Sequence, residues 1–154
     1  MVGDPHRASG ALDQLRWVVE RQTLDGHFNF TPIVRMWGPV IPGVVTLTPI
    51  DAAATPPMFE QQPIEAWAMA NACARAFACT LDHRWAEALE GAAAWFLGDN
   101  DVGVAVFDPA AGGGFDGLES NGVNRNEGAA SIMAFVGTML DLHELTLELE
   151  ATPN

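Results

Sequence analysis

The spacing of apolar residues along the chain predicts four helices, two of which have a polar side. The first runs from Ser9, a suitable capping residue, to just before Asp25, and the third occupies residues 82–97. In both, apolar residues recur every three or four positions while charged residues occupy the opposite side. A helix of this kind buries one face only, so both are expected at the periphery of the fold.

The second and fourth predicted helices are apolar almost all the way round. Pro63 is suited to a first helical turn, and residues 64–79 after it contain few polar positions. The fourth helix is predicted to open where Asn124 and Glu127 have capping-box spacing, and its section 128–140 is apolar. Helices without a polar face are buried, so these two are expected at the centre.

The segments between the helices are long. Residues 31–58 mix prolines with apolar residues, which excludes a long helix and predicts an extended apolar loop. Residues 98–123 are rich in glycine and aspartate and are predicted to be loop, with a short strand at 102–107 as an alternative. The tail at 145–150 alternates with period two but continues the fourth helix in register, and helix is favoured. The chain is thus expected to form a single all-α domain over residues 1–154.

Composition excludes several classes of partner. The chain has 7 lysine and arginine residues against 20 aspartate and glutamate residues, a net charge of −13. Such a protein lacks the basic surface that nucleic acids require. No apolar run reaches the length of a membrane span and no leader pattern opens the chain, so a cytoplasmic protein without a membrane partner is expected. Neither the two cysteines nor the loop aspartates have metal-ligand spacing, so no metal or other cofactor is expected.

Polar residues suited to chemistry concentrate in three segments, at residues 25–28, 60–65 and 115–127. In an arrangement of helical hairpins these segments are expected to converge at one rim. Two carboxylates facing each other across a cleft are what cleavage of a glycosidic bond requires, one as the acid and one as the base or nucleophile. Trp37 offers a flat surface suited to stacking against a sugar ring.

Six short motifs resemble, in order, those of a known bacterial family. They are DGHF at 25–28, FEQQPIEA at 59–66, WFLGDND at 95–101, DP at 108–109, GGFDGL at 113–118 and GVNRNEGA at 122–129. The family that they resemble is the C-terminal, six-hairpin glycosidase-like region of bacterial glycosyltransferase-associated proteins. The resemblance implies an all-α architecture, part of an (α/α)6 toroid of helical hairpins with long loops, and a role in carbohydrate metabolism.

The chain departs from this family in sequence and in length. Glu60 stands where the family has aspartate, and residues 33–58 replace a short stretch rich in glycine and arginine. A complete toroid needs many more helices than the four predicted here. We expect the chain to complete its core as a homodimer, formed through the exposed flanks of the apolar helices. The alternatives are that the chain is a fragment or that it folds as a smaller bundle.

The predicted function is that of a carbohydrate-active protein, with glycoside hydrolysis by paired carboxylates as its enzymatic form. Structural roles stay open for two of the acids, since Glu127 completes a capping box and aspartate is common in turns such as that around Asp116. Two other functions also stay open: a noncatalytic carbohydrate-binding or assembly module, and an enzyme acting on an unrelated small molecule against the apolar loop. The predicted catalytic residues are Glu60, Asp116 and Glu127, and the predicted substrate-binding residues are His27, Trp37, Gln61, Gln62, Asn124, Arg125 and Asn126.

Overall fold

The described part of the chain contains four helices and a small sheet. In this computed structural model residues 5–22 and 61–151 are described, so the predicted apolar loop at 31–58 lies outside them. The expectation of an all-α fold is wrong, because a three-stranded antiparallel sheet accompanies the helices. The elements are, in chain order, α1 Pro5–Gln22, α2 Pro63–Thr80, α3 His83–Leu97, β1 Phe107–Asp108, β2 Gly113–Glu119, β3 Gly122–Glu127 and α4 Ala129–Ala151.

The helical hairpin of α2 and α3 is bounded by interactions that the sequence encodes locally. Pro63 occupies the first turn of α2, and the helix ends at Leu81, which has a left-handed backbone with φ 56°. Asp82 then caps α3 by accepting a hydrogen bond from the backbone N–H of Arg84 at 3.2 Å. Gly98, with φ 109°, ends α3 at a position where glycine carries no steric penalty. The short link between the two helices makes them antiparallel.

Helices α2 and α4 lie side by side and run in the same direction. The Asn71 side chain of α2 donates a hydrogen bond to the Asp141 carboxylate of α4 at 3.3 Å, and one turn earlier Trp67 lies against Gly137. A Cβ atom at position 137 would collide with the Trp67 indole, so the glycine permits the close approach. Because the two helices are parallel, their N-terminal ends lie together at one end of the molecule.

The core lies between α2, α3 and one side of α4, and its largest fully buried side chains include Trp95 and Phe96. Helix α2 is buried over much of its surface, as the sequence predicts. Helix α4 is not, because its buried residues lie along one side while large apolar side chains on the other side are exposed. None of the helices in the described ranges combines the length and apolarity that crossing a membrane requires.

The sheet occupies part of the stretch that the sequence predicted to be loop. β2 pairs antiparallel with β1 on one side and with β3 on the other. Glycine is unfavourable in strands, which is why the sequence of β2 was predicted as loop. In the structure these glycines allow close approach: a Cβ atom at Gly114 would lie 2.8 Å from the backbone nitrogen of Ile132, and one at Gly117 would lie 2.6 Å from the carbonyl oxygen of Gln61.

The fourth helix starts later than predicted. Asn124 and Glu127 belong to strand β3, and α4 begins at Ala129. The predicted capping box between these two residues is therefore wrong, and the Asn124 side-chain oxygen instead accepts a hydrogen bond from the backbone N–H of Asn126 at 3.1 Å. Pairing with β2 satisfies the backbone groups of this segment, which outweighs the local helix-start pattern.

Candidate functional site

A polar cleft lies where the N-terminal ends of α2 and α4 meet the β2–β3 hairpin. It consists of two adjoining cavities, of about 230 Å³ and 380 Å³, that share Gln62, Asp116 and Asn124 as lining residues. The smaller cavity is also lined by Gln61, Gly117, Leu118 and Glu119, and the larger by Pro63, Ile64, Ala130 and Ser131. The lining thus combines amide, carboxylate and hydroxyl groups with a few apolar contacts, and among these residues none is lysine, arginine or histidine.

Two of the three segments that were predicted to converge meet at this cleft, through residues 61–64 and 116–124. The third, at 25–28, lies outside the described residues. Gln61 forms a two-way backbone bridge with Leu118: its carbonyl accepts a hydrogen bond at 2.8 Å and its N–H donates one at 3.2 Å. The bridge fixes the start of α2 to the middle of the sheet. The cleft is therefore built on rigid elements rather than on a loop.

Asp116 is the best-defined polar group of the cleft. Its Oδ1 accepts hydrogen bonds from the backbone N–H of Gly128 at 3.0 Å and from the Ser131 hydroxyl at 2.6 Å, and its Oδ2 accepts one from the Asn126 amide. These donors, the Ser131 hydroxyl first and the Asn126 amide second, lower the pKa of Asp116 below its usual range. A carboxylate held ionised in this way anchors the first turn of α4 and is unsuited to donating a proton.

The Gln61 side chain lies in the protein interior, where both ends of its amide are hydrogen-bonded. It is fully buried, its Oε1 accepts a hydrogen bond from the Trp95 indole N–H at 2.7 Å, and its Nε2 donates one to the Asp101 carboxylate at 2.5 Å. The predicted role of its amide in binding a sugar does not fit this arrangement. Gln62, by contrast, is exposed, lines both cavities and makes no side-chain cap on α2.

The remaining predicted residues of β3 divide into two groups. Asn124 lines both cavities, and Asn126 reaches the cleft through its bond to Asp116. Arg125 and Glu127 line neither cavity: the Arg125 guanidinium lies over the Phe115 ring at 5.8 Å from its centroid, and the Glu127 carboxylate lies over Gly113. The structure therefore does not place Glu127 opposite Asp116 as a catalytic partner.

Three predicted site residues, Glu60, His27 and Trp37, lie outside the described residues, and their roles stay predictions. One carboxylate of the cleft was missed. Glu119, at the end of β2, lines the smaller cavity together with Asp116. Glu119 sits in a turn-rich stretch, where a solvated charge is the ordinary interpretation, and only the hairpin pairing brings it to the cleft.

A second missed residue is Glu65, in the first turn of α2. Its Oε2 atom is buried and has no hydrogen-bond partner, while the backbone N–H of Gln62 lowers the pKa of the same carboxyl. Burial outweighs that hydrogen bond and raises the pKa of Glu65 from 4.5 to about 7. The folded protein therefore binds a proton here more tightly than the unfolded chain does.

We expect the Glu65 contribution to stability to be present below pH 4.5 and lost as the pH rises towards 7. After allowance for solvent screening of this half-buried group, the loss is about 1–2 kcal/mol. Urea unfolding across this pH window measures it, and Glu65→Gln should remove most of the slope. The exposed Glu87→Gln on α3 is the matched control and should keep the wild-type slope. A wild-type slope retained in Glu65→Gln contradicts the prediction.

The comparisons with known proteins assign no family. No protein-family model and no curated protein matches the chain. Within residues 5–22 and 61–151, no group of three or more histidine, cysteine, aspartate or glutamate side chains is placed to hold a metal ion.

Proposed function

We propose that the polar cleft binds a small carbohydrate. The observation that carries this proposal is that the start of α2, the β2–β3 hairpin and the start of α4 meet at a cleft lined by Gln62, Asp116 and Asn124. Amide groups both donate and accept hydrogen bonds, as sugar hydroxyls do, and the carboxylate adds a strong acceptor. The described lining residues include no cationic side chain, which disfavours phosphorylated or carboxylated ligands.

The motif resemblance supports the same ligand class. The segments GGFDGL and GVNRNEGA form the two paired strands β2 and β3, and the segment containing Gln61 and Gln62 is bridged to them. Three of the six motifs on which the resemblance rests thus supply residues that line the cleft. A relation to the six-hairpin glycosidase-like region remains part of this proposal.

Binding without hydrolysis is the form of the proposal that the geometry favours. A glycosidase needs one carboxyl group that donates a proton, and Asp116 is held ionised by three hydrogen-bond donors. Hydrolysis is the second candidate, and the observation in its favour is Glu119, which supplies a second carboxylate to the same cavity. Glu119 would then be the acid and Asp116 the base or nucleophile.

Calorimetric titration with a panel of mono- and oligosaccharides tests the binding. We expect Asn124→Ala to weaken the affinity for a bound sugar about three- to tenfold, the effect of one or two neutral hydrogen bonds. Arg125→Ala is the matched control, because it alters the neighbouring strand residue outside both cavities and should leave the affinity unchanged. No heat from any sugar, or equal losses in both variants, contradicts the proposal.

An assay for reducing sugar released from the bound oligosaccharide distinguishes binding without hydrolysis from hydrolysis. A binding module shows affinity without turnover. Turnover that is lost in both Asp116→Asn and Glu119→Gln supports hydrolysis instead, and a bell-shaped pH profile should accompany it.

A further inference from the structure

Helix α4 presents an apolar stripe to the surface. Met133 is 62% exposed, Val136 48%, Leu140 57% and Leu147 52%. All four project from the side of α4 opposite to its buried residues, among which are Ala134, Thr138 and Leu145. Large apolar side chains exposed in a row, rather than singly, mark an interaction surface.

The stripe has the spacing of a coiled-coil seam. Met133, Leu140 and Leu147 are seven residues apart, and Val136 and His143 fall between them at the alternate seam positions. The whole helix has 23 residues, enough for three heptads. The repeat of 3.5 residues lies on the exposed side of α4. Packing of the opposite side on α2 and α3 within the same chain does not require it. The seam therefore predicts a partner helix.

We propose that the α4 stripe pairs with the α4 stripe of a second copy of this chain, in antiparallel orientation. Charge decides the orientation. The C-terminal half of α4 carries the exposed acidic residues Glu144, Glu148 and Glu150 besides the partly buried Asp141, whereas residues 128–140 contain no charged side chain. A parallel pair would place each acidic half against its own copy, at a cost in like-charge repulsion.

An antiparallel pair places the acidic half of one α4 beside the N-terminal half of the other. That end of a helix carries a partial positive charge, which favours acidic side chains. The strand residues just before it, Arg125 and Glu127, add one positive and one negative charge and so leave the balance unchanged. In the antiparallel register Met133 faces His143 and Val136 faces Leu140 of the second copy, so apolar side chains meet at the centre of the seam.

Analytical ultracentrifugation of the full chain over a range of concentrations tests the pairing. We expect a reversible dimer that Leu140→Glu weakens at least about tenfold, because a carboxylate replaces each buried Leu140 against Val136 of the second copy. Leu97→Glu is the matched control, since Leu97 is 55% exposed on α3 and makes the same change away from the stripe. A wild-type monomer at all concentrations, or equal weakening by both variants, overturns the proposal.

The salt dependence of dimerisation distinguishes a second copy from other partners of the stripe. Two molecules of net charge −13 repel each other, so added salt should strengthen the dimer. A dimer that dissociates with salt would be held by ionic attraction, and this result contradicts an apolar seam between two acidic molecules. Two other results would overturn the proposal. One is a monomeric wild-type protein that binds a basic amphipathic helix. The other is a monomer in which residues 31–58 of the same chain protect the stripe from chemical labelling.

Cysteine pairing tests the orientation without relying on a charged substitution. In a Cys79→Ser background, protein with Met133→Cys is mixed with protein with His143→Cys under mild oxidation. The antiparallel pair should give mixed disulfides, because these two positions face each other. Disulfides within each separate protein, and none between them, would show a parallel pair and overturn the orientation. The sugar cleft takes no part in this test, so its outcome is independent of the proposed function.

Discussion

Replacing Gln61 with alanine should lower the free energy of unfolding by about 3–4 kcal/mol. The side chain is fully buried and holds the Trp95 indole N–H at 2.7 Å and the Asp101 carboxylate at 2.5 Å. The substitution removes both bonds at once and leaves a cavity between the start of α2 and the end of α3. Each buried polar group that loses a partner costs about 1–3 kcal/mol, and the bond to the charged carboxylate is the stronger of the two.

Gln62 provides the control for this prediction. It is the next residue, carries the same side chain, is exposed and makes no side-chain cap on α2. Gln62→Ala should change the free energy of unfolding by no more than about 0.5 kcal/mol. Urea denaturation followed by tryptophan fluorescence measures both variants. Equal stability of the two variants would show that the buried amide network does not hold the start of α2 to Trp95 and Asp101.

The Gly114→Ala substitution should destabilise the protein by about 3 kcal/mol. A Cβ atom at this position of β2 would lie 2.8 Å from the backbone nitrogen of Ile132 and 2.9 Å from the carbonyl oxygen of Ser131. Backbone atoms in the first turn of α4 cannot rotate away, so the sheet and the helix must separate to admit the methyl group. The same movement disturbs the cleft, because Ser131 is one of the donors to Asp116.

Gly91 in α3 is the contrasting position. It is exposed, and a Cβ atom there has no neighbour within 4 Å. Gly91→Ala should raise the free energy of unfolding by about 0.5–1 kcal/mol, the difference in helix propensity between the two residues. Opposite signs for the two glycine-to-alanine changes are the expected result of thermal or urea unfolding. Stabilisation by Gly114→Ala would falsify the assignment of close packing between β2 and α4.

The helices were predictable because their causes are local. Pro63 begins α2 as predicted, and Asp82 caps α3 through a hydrogen bond two residues away. These interactions involve residues close together in the chain, and the apolar spacing of α2 and α3 also identifies the sides that form the core. The same local rules were wrong at Asn124 and Glu127, where capping-box spacing occurs in a strand.

The sheet was not predictable because its causes are distant. β2 contains Gly113, Gly114 and Gly117, residues that disfavour a strand unless something requires close approach. Two neighbours approach β2 closely: the first turn of α4 lies against Gly114, and the carbonyl oxygen of Gln61 lies against Gly117. Neither neighbour is adjacent in the chain. The all-α expectation was wrong for this reason.

The candidate site shows the same division. Polar residues at 25–28, 60–65 and 115–127 were predicted to form one site, because residues suited to chemistry are concentrated there. Their roles depended on burial and partners, which composition does not determine. Gln61 became an interior anchor, Asp116 an ionised cap of α4 and Glu119 a lining carboxylate.

The sequence by itself determined the helices, the acidic surface and the segments that supply the polar cleft, because helix propensity, charge and capping depend on neighbouring residues. Only the tertiary structure decided that glycine-rich strands close this cleft, that one carboxyl oxygen of the half-buried Glu65 is buried without a partner, and that α4 leaves an apolar stripe exposed. Each of these depends on which surfaces meet in space. Since a nearly all-apolar helix has no polar side to mark its solvent face, packing alone selects the side of α4 that remains uncovered.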